Sequence, residues 1–309
     1  MTASPTVSVV VPTHNRRDRL MDALASVQAQ PLGADLEIVV VADRCRDGTA
    51  EAVQRLAGQD GRIRMLACDA GGAAAARNTG LEQAAGQYVA FLDDDDRWLP
   101  AKLARQLAYF DDHPDVGVVG CHWVAAYPGG RPVAFRDPQH VDDRDLLWCN
   151  FLGGCSPVMI RRAAVPPDEL RFDPALRTCE DWDLWQRLAG HTAVAIMPEV
   201  LVRYEVHGEA RLSDLLQDER EGRPAFVRRH QEEMTAECLG YHRARQRLSA
   251  THGWAGRSRL GVELVRSAPA RSLWIVANES LAADVGKLRG DPCLGHRRLH
   301  HLIGHAVRG

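Results

Sequence analysis

The chain has 309 residues, a length that suits one large domain or one domain with a C-terminal appendage. Its apolar fraction of 45% is that of an ordinary globular protein, and a formal net charge of −3 gives no general reason to expect nucleic acid as a partner. No stretch approaches the uninterrupted apolar length that spans a bilayer, so no transmembrane segment is expected.

The start, Met1-Thr2-Ala3-Ser4-Pro5, has neither the basic n-region nor the apolar h-region of a signal peptide. Cys45, Cys68, Cys121, Cys149, Cys155, Cys179, Cys238 and Cys293 are scattered, with no CxxC pair, and read as reduced thiols. A soluble, cytoplasmic protein is the expectation.

Val7 to Val11 is a valine-rich strand pattern ended by Pro12, and Leu20, Leu24 and Val27 then fall at helical spacing. Glu37 to Ala42 is a second strand, Asp47-Gly48-Thr49 caps a helix carrying Val53 and Leu56, and Ile63 to Ala67 is a third strand. An alanine-rich helix runs to about Ala85, Gly86 stops it, and Tyr88 to Leu92 forms the next strand. A helix over Leu99 to Phe110 and a strand over Val116 to Trp123 follow. Near-continuous apolar strands alternating with helices imply a mostly parallel sheet covered on both faces. Ligands of such sheets sit at the carboxyl ends of the strands, and Thr13, Asp43 and the four aspartates Asp93 to Asp96 all follow strand ends.

From about residue 125 the pattern changes. Pro128-Gly129-Gly130 and Asp137-Pro138 mark loops, Gly153-Gly154 precedes a strand-like Ser156 to Ile160, and an acidic-aromatic helix lies between Thr178 and Leu188. Beyond Ser213 the chain reads as polar, arginine-rich helix, with a boundary near residues 208 to 224.

Four adjacent carboxylates at a strand end repel one another. A hard divalent cation would relieve that repulsion, and Mg²⁺ typically combines one or two carboxylates with water and substrate phosphates, which makes a diphosphate the natural partner. The same residues also suit a solvated acidic turn or helix N-cap. Glu180-Asp181 offers a second acidic site, for a general base or for a helix first turn matched to its dipole.

Taken in order, six stretches resemble family-2 glycosyltransferases of the GT-A fold. They are Ser8 to Arg16, Val39 to Asp43 with Asp47-Gly48-Thr49, Gly71-Gly72 through Arg77 to Gly80, Phe91 to Pro100, Glu180 to Trp185, and Tyr204 to Gly208. The resemblance implies an α/β GT-A domain over residues 1–215: a Rossmann-like nucleotide-sugar-binding half (1–124) and an acceptor half (125–215), with a mostly parallel sheet flanked by helices. Residues 216–309 form a helical C-terminal extension. The implied reaction moves a sugar from a nucleoside diphosphate sugar, UDP favoured, to an acceptor hydroxyl on a glycan, lipid-linked or natural-product acceptor. It inverts the anomeric centre and is assisted by Mg²⁺ or Mn²⁺; peripheral membrane contact is compatible with it.

Carried over by position, the resemblance places Pro12, Thr13, Asn15, Arg17, Asp43, Arg77, Asp93 and Asp94 around the donor. Thr13 would touch the nucleoside, Asp43 would accept a hydrogen bond from the base, and Arg77 would lie near the base or diphosphate. Asp95 is the implied direct metal contact, with Asp93 nearer the ribose; Asp94 holds the variable middle position. Asp181 is the implied base, with Glu180 the fallback. His207 is implied as a metal or diphosphate ligand, although Glu205 stands where relatives carry arginine. Trp182 and Trp185 suit either stacking on an acceptor or helix packing. The tail residues Cys293, His296, His300, His301 and His305 fit a packed or partly ordered helix, a basic lipid-touching helix, or a zinc site, the last opposed by a single cysteine and irregular spacing. Two rival functions are a sugar nucleotidyltransferase, whose triphosphate-binding opening loop is missing from Val11 to Asn15, and a catalytically inactive nucleotide-sugar-binding protein.

Overall fold

The structure, a computed structural model, describes residues 5–69, 71–126, 133–135, 140–205 and 218–250. The chain divides into two compact units, Met1–Arg211 and Leu212–Gly309.

In the first unit, β1 (Val7–Thr13), β2 (Leu36–Asp43), β3 (Ile63–Cys68) and β4 (Tyr88–Phe91) pair in parallel in the order β3-β2-β1-β4. All seven residues of β1 are buried, which is why it reads as a continuous apolar run: both of its faces are covered. One cover is α1 (Arg17–Gln28), which buries Leu20, Ala23, Leu24 and Val27 at helical spacing. Between β2 and β3 runs α2 (Thr49–Ala57). Helix α3 (Ala73–Gln83) comes close to β1 because Gly80 has no side chain; a Cβ there would stand 2.3 Å from Val10 Cγ1.

The chain continues through β5 (Asp96–Trp98), α4 (Lys102–Asp112), β6 (Val116–Ala126), β7 (Val133–Phe135), β8 (His140–Val141), α5 (Asp143–Leu146), β9 (Met159–Arg161), α6 (Glu180–Ala189) and β10 (Ala193–Glu205). The full ten-stranded sheet has the order β3-β2-β1-β4-β9-β6-β10-β5, with β7 also on β6 and β8 also on β10. It is mixed. The first four strands are parallel, as are β6 and β10, whereas β5, β7, β8 and β9 join antiparallel.

Some boundaries differ from the sequence reading. Helix α4 starts at Lys102 rather than Leu99, because residues 96–98 join the sheet and Leu99 N–H donates to Leu201 O at 2.9 Å. The strand expected over Ser156 to Ile160 is Met159–Arg161, after a turn in which Val158 N–H donates to Cys155 O. Strand β10 carries a register shift between Met197 and Val200, where Pro198 offers no N–H to the ladder.

The second unit contains a π-helical turn (Asp218–Gly222), α7 (Arg223–His230), with proline in its first turn, and α8 (Ala236–Ala250). Phe226 and Tyr241 are fully buried there, and Arg223 Nη1 lies 3.3 Å from His242 Nδ1. The tail residues from Cys293 onward lie outside the described residues. Among the described residues, no helix is long and apolar enough to cross a membrane, and the seven cysteines are free thiols.

Candidate active site

Parallel register brings the ends of β1 and β2 side by side, with Thr13 paired to Ala42 and Asp43 next along. The β1–α1 loop turns at Asn15, whose φ of 52° is a left-handed conformation that asparagine tolerates. Asn15 Oδ1 accepts from Arg46 N–H at 2.7 Å and Asp47 Oδ2 from Arg17 N–H at 3.0 Å, so this loop is tied to the one after β2. Pro12 is buried at the end of β1. The Arg17 side chain bonds exposed Asp18, and Arg16 is the arginine that turns towards the aspartates.

Asp43 is 4% exposed. Its carboxylate accepts from Gly72 N–H at 3.1 Å, Gly71 N–H at 3.4 Å and Arg44 Nε at 3.2 Å. Burial pushes its pKa up, but the Gly71 amide, the Arg44 guanidinium and the Gly72 amide together hold it below the ordinary value. An ionised Asp43 thus orients the glycine pair that leads into α3.

Beyond β4, Asp96 N–H donates to Asp93 O at 3.1 Å and closes a turn. Two arginines meet its carboxylates. Arg16 Nη1 reaches Asp94 Oδ1 at 3.0 Å and Asp95 Oδ2 at 3.2 Å, while Arg77 Nη2 reaches Asp93 Oδ1 at 2.7 Å. Asp94, in the middle position, is 5% exposed and also accepts from Thr13 Oγ1 at 2.7 Å. Burial raises its pKa, outweighing Arg16 and Thr13. Its side chain therefore ties the turn to β1. Asp96 accepts from Ser156 Oγ at 2.7 Å.

Arg77 links this turn to α6. Its side chain is 7% exposed, and Nη1 donates to Glu180 Oε1 at 2.7 Å. Burial disfavours the guanidinium charge, yet Asp93 and Glu180 restore it and hold the pKa well above its ordinary value. The arginine that the sequence places near the donor thus stands between the two acidic motifs. Next to Glu180, Asp181 accepts from Trp182 N–H at 2.7 Å and from Asn150 Nδ2 at 3.3 Å. Asp183 is fully buried and paired with Arg187 at 3.0 Å. Trp182 and Trp185 are 3% and 0% exposed, and Trp182 Nε1 donates to Leu146 O at 2.6 Å, so both tryptophans pack in the interior.

Among the described residues, no group of three or more His, Cys, Asp or Glu side chains is arranged to hold a metal ion alone. The carboxylate oxygens of Asp93 and Asp95 are hard donors of the kind that a divalent cation prefers. His207 lies outside the described residues.

Sequence reasoning gave no role to Arg16, Asn150 or Ser156, which reach the site from 31 to 79 positions away. Only Arg16 carried a signal, as part of the opening motif.

This arrangement defines a nucleotide-sugar glycosyltransferase of GT-A type, and comparison with known proteins agrees. The Glycosyl transferase family 2 profile matches residues 8–161. TuaG of Bacillus subtilis (strain 168), named a putative teichuronic acid biosynthesis glycosyltransferase, is 35% identical over 208 residues, 65% of this chain and 79% of TuaG. WfgD of Escherichia coli, named a UDP-Glc:alpha-D-GlcNAc-diphosphoundecaprenol beta-1,3-glucosyltransferase, is 39% identical over 181 residues, 58% of this chain and 68% of WfgD. Residues 1–349 of S. aureus TarS, solved with UDP-GlcNAc, superpose with a TM-score of 0.60 at 17% identity, covering 98% of this chain and 91% of that one. The mannosyltransferase PcManGT from Pyrobaculum calidifontis, solved with GDP-Man and Mn²⁺, gives 0.57 at 20% identity, covering 99% and 81%. The chain belongs to glycosyltransferase family 2.

Proposed function

We propose that this enzyme transfers a sugar from a nucleoside diphosphate sugar, UDP favoured, to an acceptor hydroxyl with inversion of the anomeric centre, and that Asp181 is the general base. The observation that carries this reading is the Arg77 bridge, which joins the Asp93 turn to the Glu180-Asp181 pair at 2.7 Å on each side. One edge of the fold thereby carries carboxylates for the donor and a carboxylate for the acceptor proton. The acceptor oxygen forms its bond to the anomeric carbon as the carbon–diphosphate bond breaks, and its proton passes to Asp181. Glu180 is committed to Arg77, an ion pair that protonation would break, and Asp181 accepts from the neutral donors of Trp182 and Asn150.

Asp95 and Asp93 would hold Mg²⁺ or Mn²⁺, with His207 as a further candidate; when bound, the ion offsets the negative charge that grows on the leaving diphosphate. Pro12, Thr13, Asn15 and Asp43 would surround the nucleoside. The names of TuaG and WfgD support an acceptor that is a cell-surface glycan or a lipid-linked diphosphate sugar, and the UDP-GlcNAc bound to TarS supports a UDP donor. The enzyme would meet that acceptor from the cytoplasm.

Asp181→Asn and Glu180→Gln variants test the base. Asp181→Asn should bind donor normally and transfer about 10²–10⁴-fold more slowly, and NMR of the wild-type product should show inverted configuration. Full activity in Asp181→Asn, or a retained configuration, would refute the mechanism. A loss confined to Glu180→Gln would move the base to the neighbouring residue.

A further inference from the structure

Ser156 sits just ahead of β9 and is fully buried. The ladders of β4 end at Phe91, Leu92 N–H reaches Val10 O at 3.1 Å, and Ser156 Oγ takes up the following N–H, that of Asp93, at 3.1 Å. The same hydroxyl donates to Asp96 Oδ2 at 2.7 Å, so one oxygen spans the turn from its first residue to its last. The Ser156 carbonyl also accepts from Trp98 Nε1 at 2.9 Å. Three groups of the 93–98 segment thus converge on one residue, 58 to 63 positions further along the chain.

Ser156 is itself held from below. Pro157 O accepts from Gln106 Nε2 at 2.8 Å, and Gln106 Oε1 accepts from Lys102 Nζ at 2.7 Å. Lys102 Nζ lies 4.1 Å from the centre of the Trp98 ring, which closes the circuit back to Ser156. Lys102 and Gln106 are both fully buried, and neither is placed to touch a substrate. An apolar pair at these α4 positions would fill the same space; a satisfied polar circuit instead fixes one arrangement.

We propose that Ser156 is the positioning residue of the donor site: it sets the geometry in which Asp93 and Asp95 meet the donor diphosphate, and the Trp98–Lys102–Gln106 circuit holds it there. The proposal rests on the reading of the Asp93–Asp95 turn as the donor site.

The test is calorimetric titration of UDP, dTDP, GDP and CDP, each with Mn²⁺, into the wild-type chain, Ser156→Ala, Ser156→Thr and Asp95→Asn. Losing the hydroxyl takes it from the buried Asp96 carboxylate and from the Asp93 N–H, so Ser156→Ala should weaken the best-bound nucleotide by about tenfold or more. Ser156→Thr, which keeps the hydroxyl, should recover binding to within about threefold of wild type. In turnover, the Ser156→Ala defect should appear in the donor KM and leave the acceptor KM unchanged, a split that general loosening of the fold would not produce. Where Ser156→Ala does not fold, Ser156→Cys replaces it and should bind more weakly than Ser156→Thr. Native affinity in Ser156→Ala or Ser156→Cys, with Asp95→Asn weakened, overturns the role of Ser156 alone. Native affinity in Asp95→Asn as well overturns the reading of the turn.

Discussion

Replacing Arg77 by methionine removes a buried cation that serves two carboxylates at 2.7 Å each. Methionine keeps much of the side-chain volume, so the cost is electrostatic rather than a cavity. The Glu180 side chain is 13% exposed and that of Asp93 26%, so Glu180 cannot recover its solvation and Asp93 recovers it only in part. Breaking a buried pair from one side costs about 3–5 kcal/mol. Against this stands Arg77 Nε, buried without a partner, whose removal returns about 1 kcal/mol. The expected net loss is therefore about 2–4 kcal/mol, a large fraction of the ~5–15 kcal/mol that holds a domain folded. Urea denaturation should show a lower midpoint with an unchanged slope. In a Glu180→Gln background the same replacement should cost less, with a coupling of about 0.5–3 kcal/mol. A loss under about 0.5 kcal/mol, or strictly additive effects of the two substitutions, would refute the bridge as an energetic link.

Asp95→Asn should leave the fold within about 1 kcal/mol of wild type, since asparagine is nearly isosteric and Arg16, whose side chain is 44% exposed, keeps Asp94. In thermal-shift measurements its nucleotide-induced stabilisation should lose dependence on Mn²⁺; a full Mn²⁺ effect would remove Asp95 from the ion's ligands. Burial lowers the pKa of Lys102 to about 8, against about 10.4 for an unfolded lysine. Between those values the unfolded chain binds the additional proton, so the Lys102 contribution to stability rises with pH across that window. Lys102→Met removes it: the variant's stability relative to wild type should be most favourable below pH 8 and fall by about 3 kcal/mol towards pH 10.4. Parallel pH–stability curves for the two proteins would contradict this.

Strands β1 and β2 were legible because both of their faces are buried, which leaves valine runs that no surface strand would carry. The carboxyl ends of the first four strands followed from the parallel pattern, and with them the placing of Thr13, Asp43 and the Asp turn at one edge. Asp96-Arg97-Trp98 was not legible as a strand, since three residues hold no period and their partner, Val202 to Tyr204, lies about a hundred positions away. The repulsion that argues for a cation is met in large part by Arg16 and Arg77, whose reach across 16 to 103 positions is written in no local pattern. The tryptophan spacing favoured helix packing for one of the pair and left stacking open for the other; burial assigns both to the interior. Asp183, two positions along from Asp181, is paired with Arg187 one helical turn away, a pairing that the acidic run alone does not reveal.

Strand β9 has a consequence for how the enzyme comes into being. It lies between β4 and β6 in space but follows β6 in the chain, so the sheet cannot become continuous during synthesis until residues 159–161 have emerged. A nascent chain that ends near residue 124 already holds Asp93 to Asp96, yet it lacks the serine that spans their turn and the glutamate that answers Arg77. The turn of Asp93 to Asp96 therefore gains its serine and glutamate supports only once residues 156 and 180 have been made.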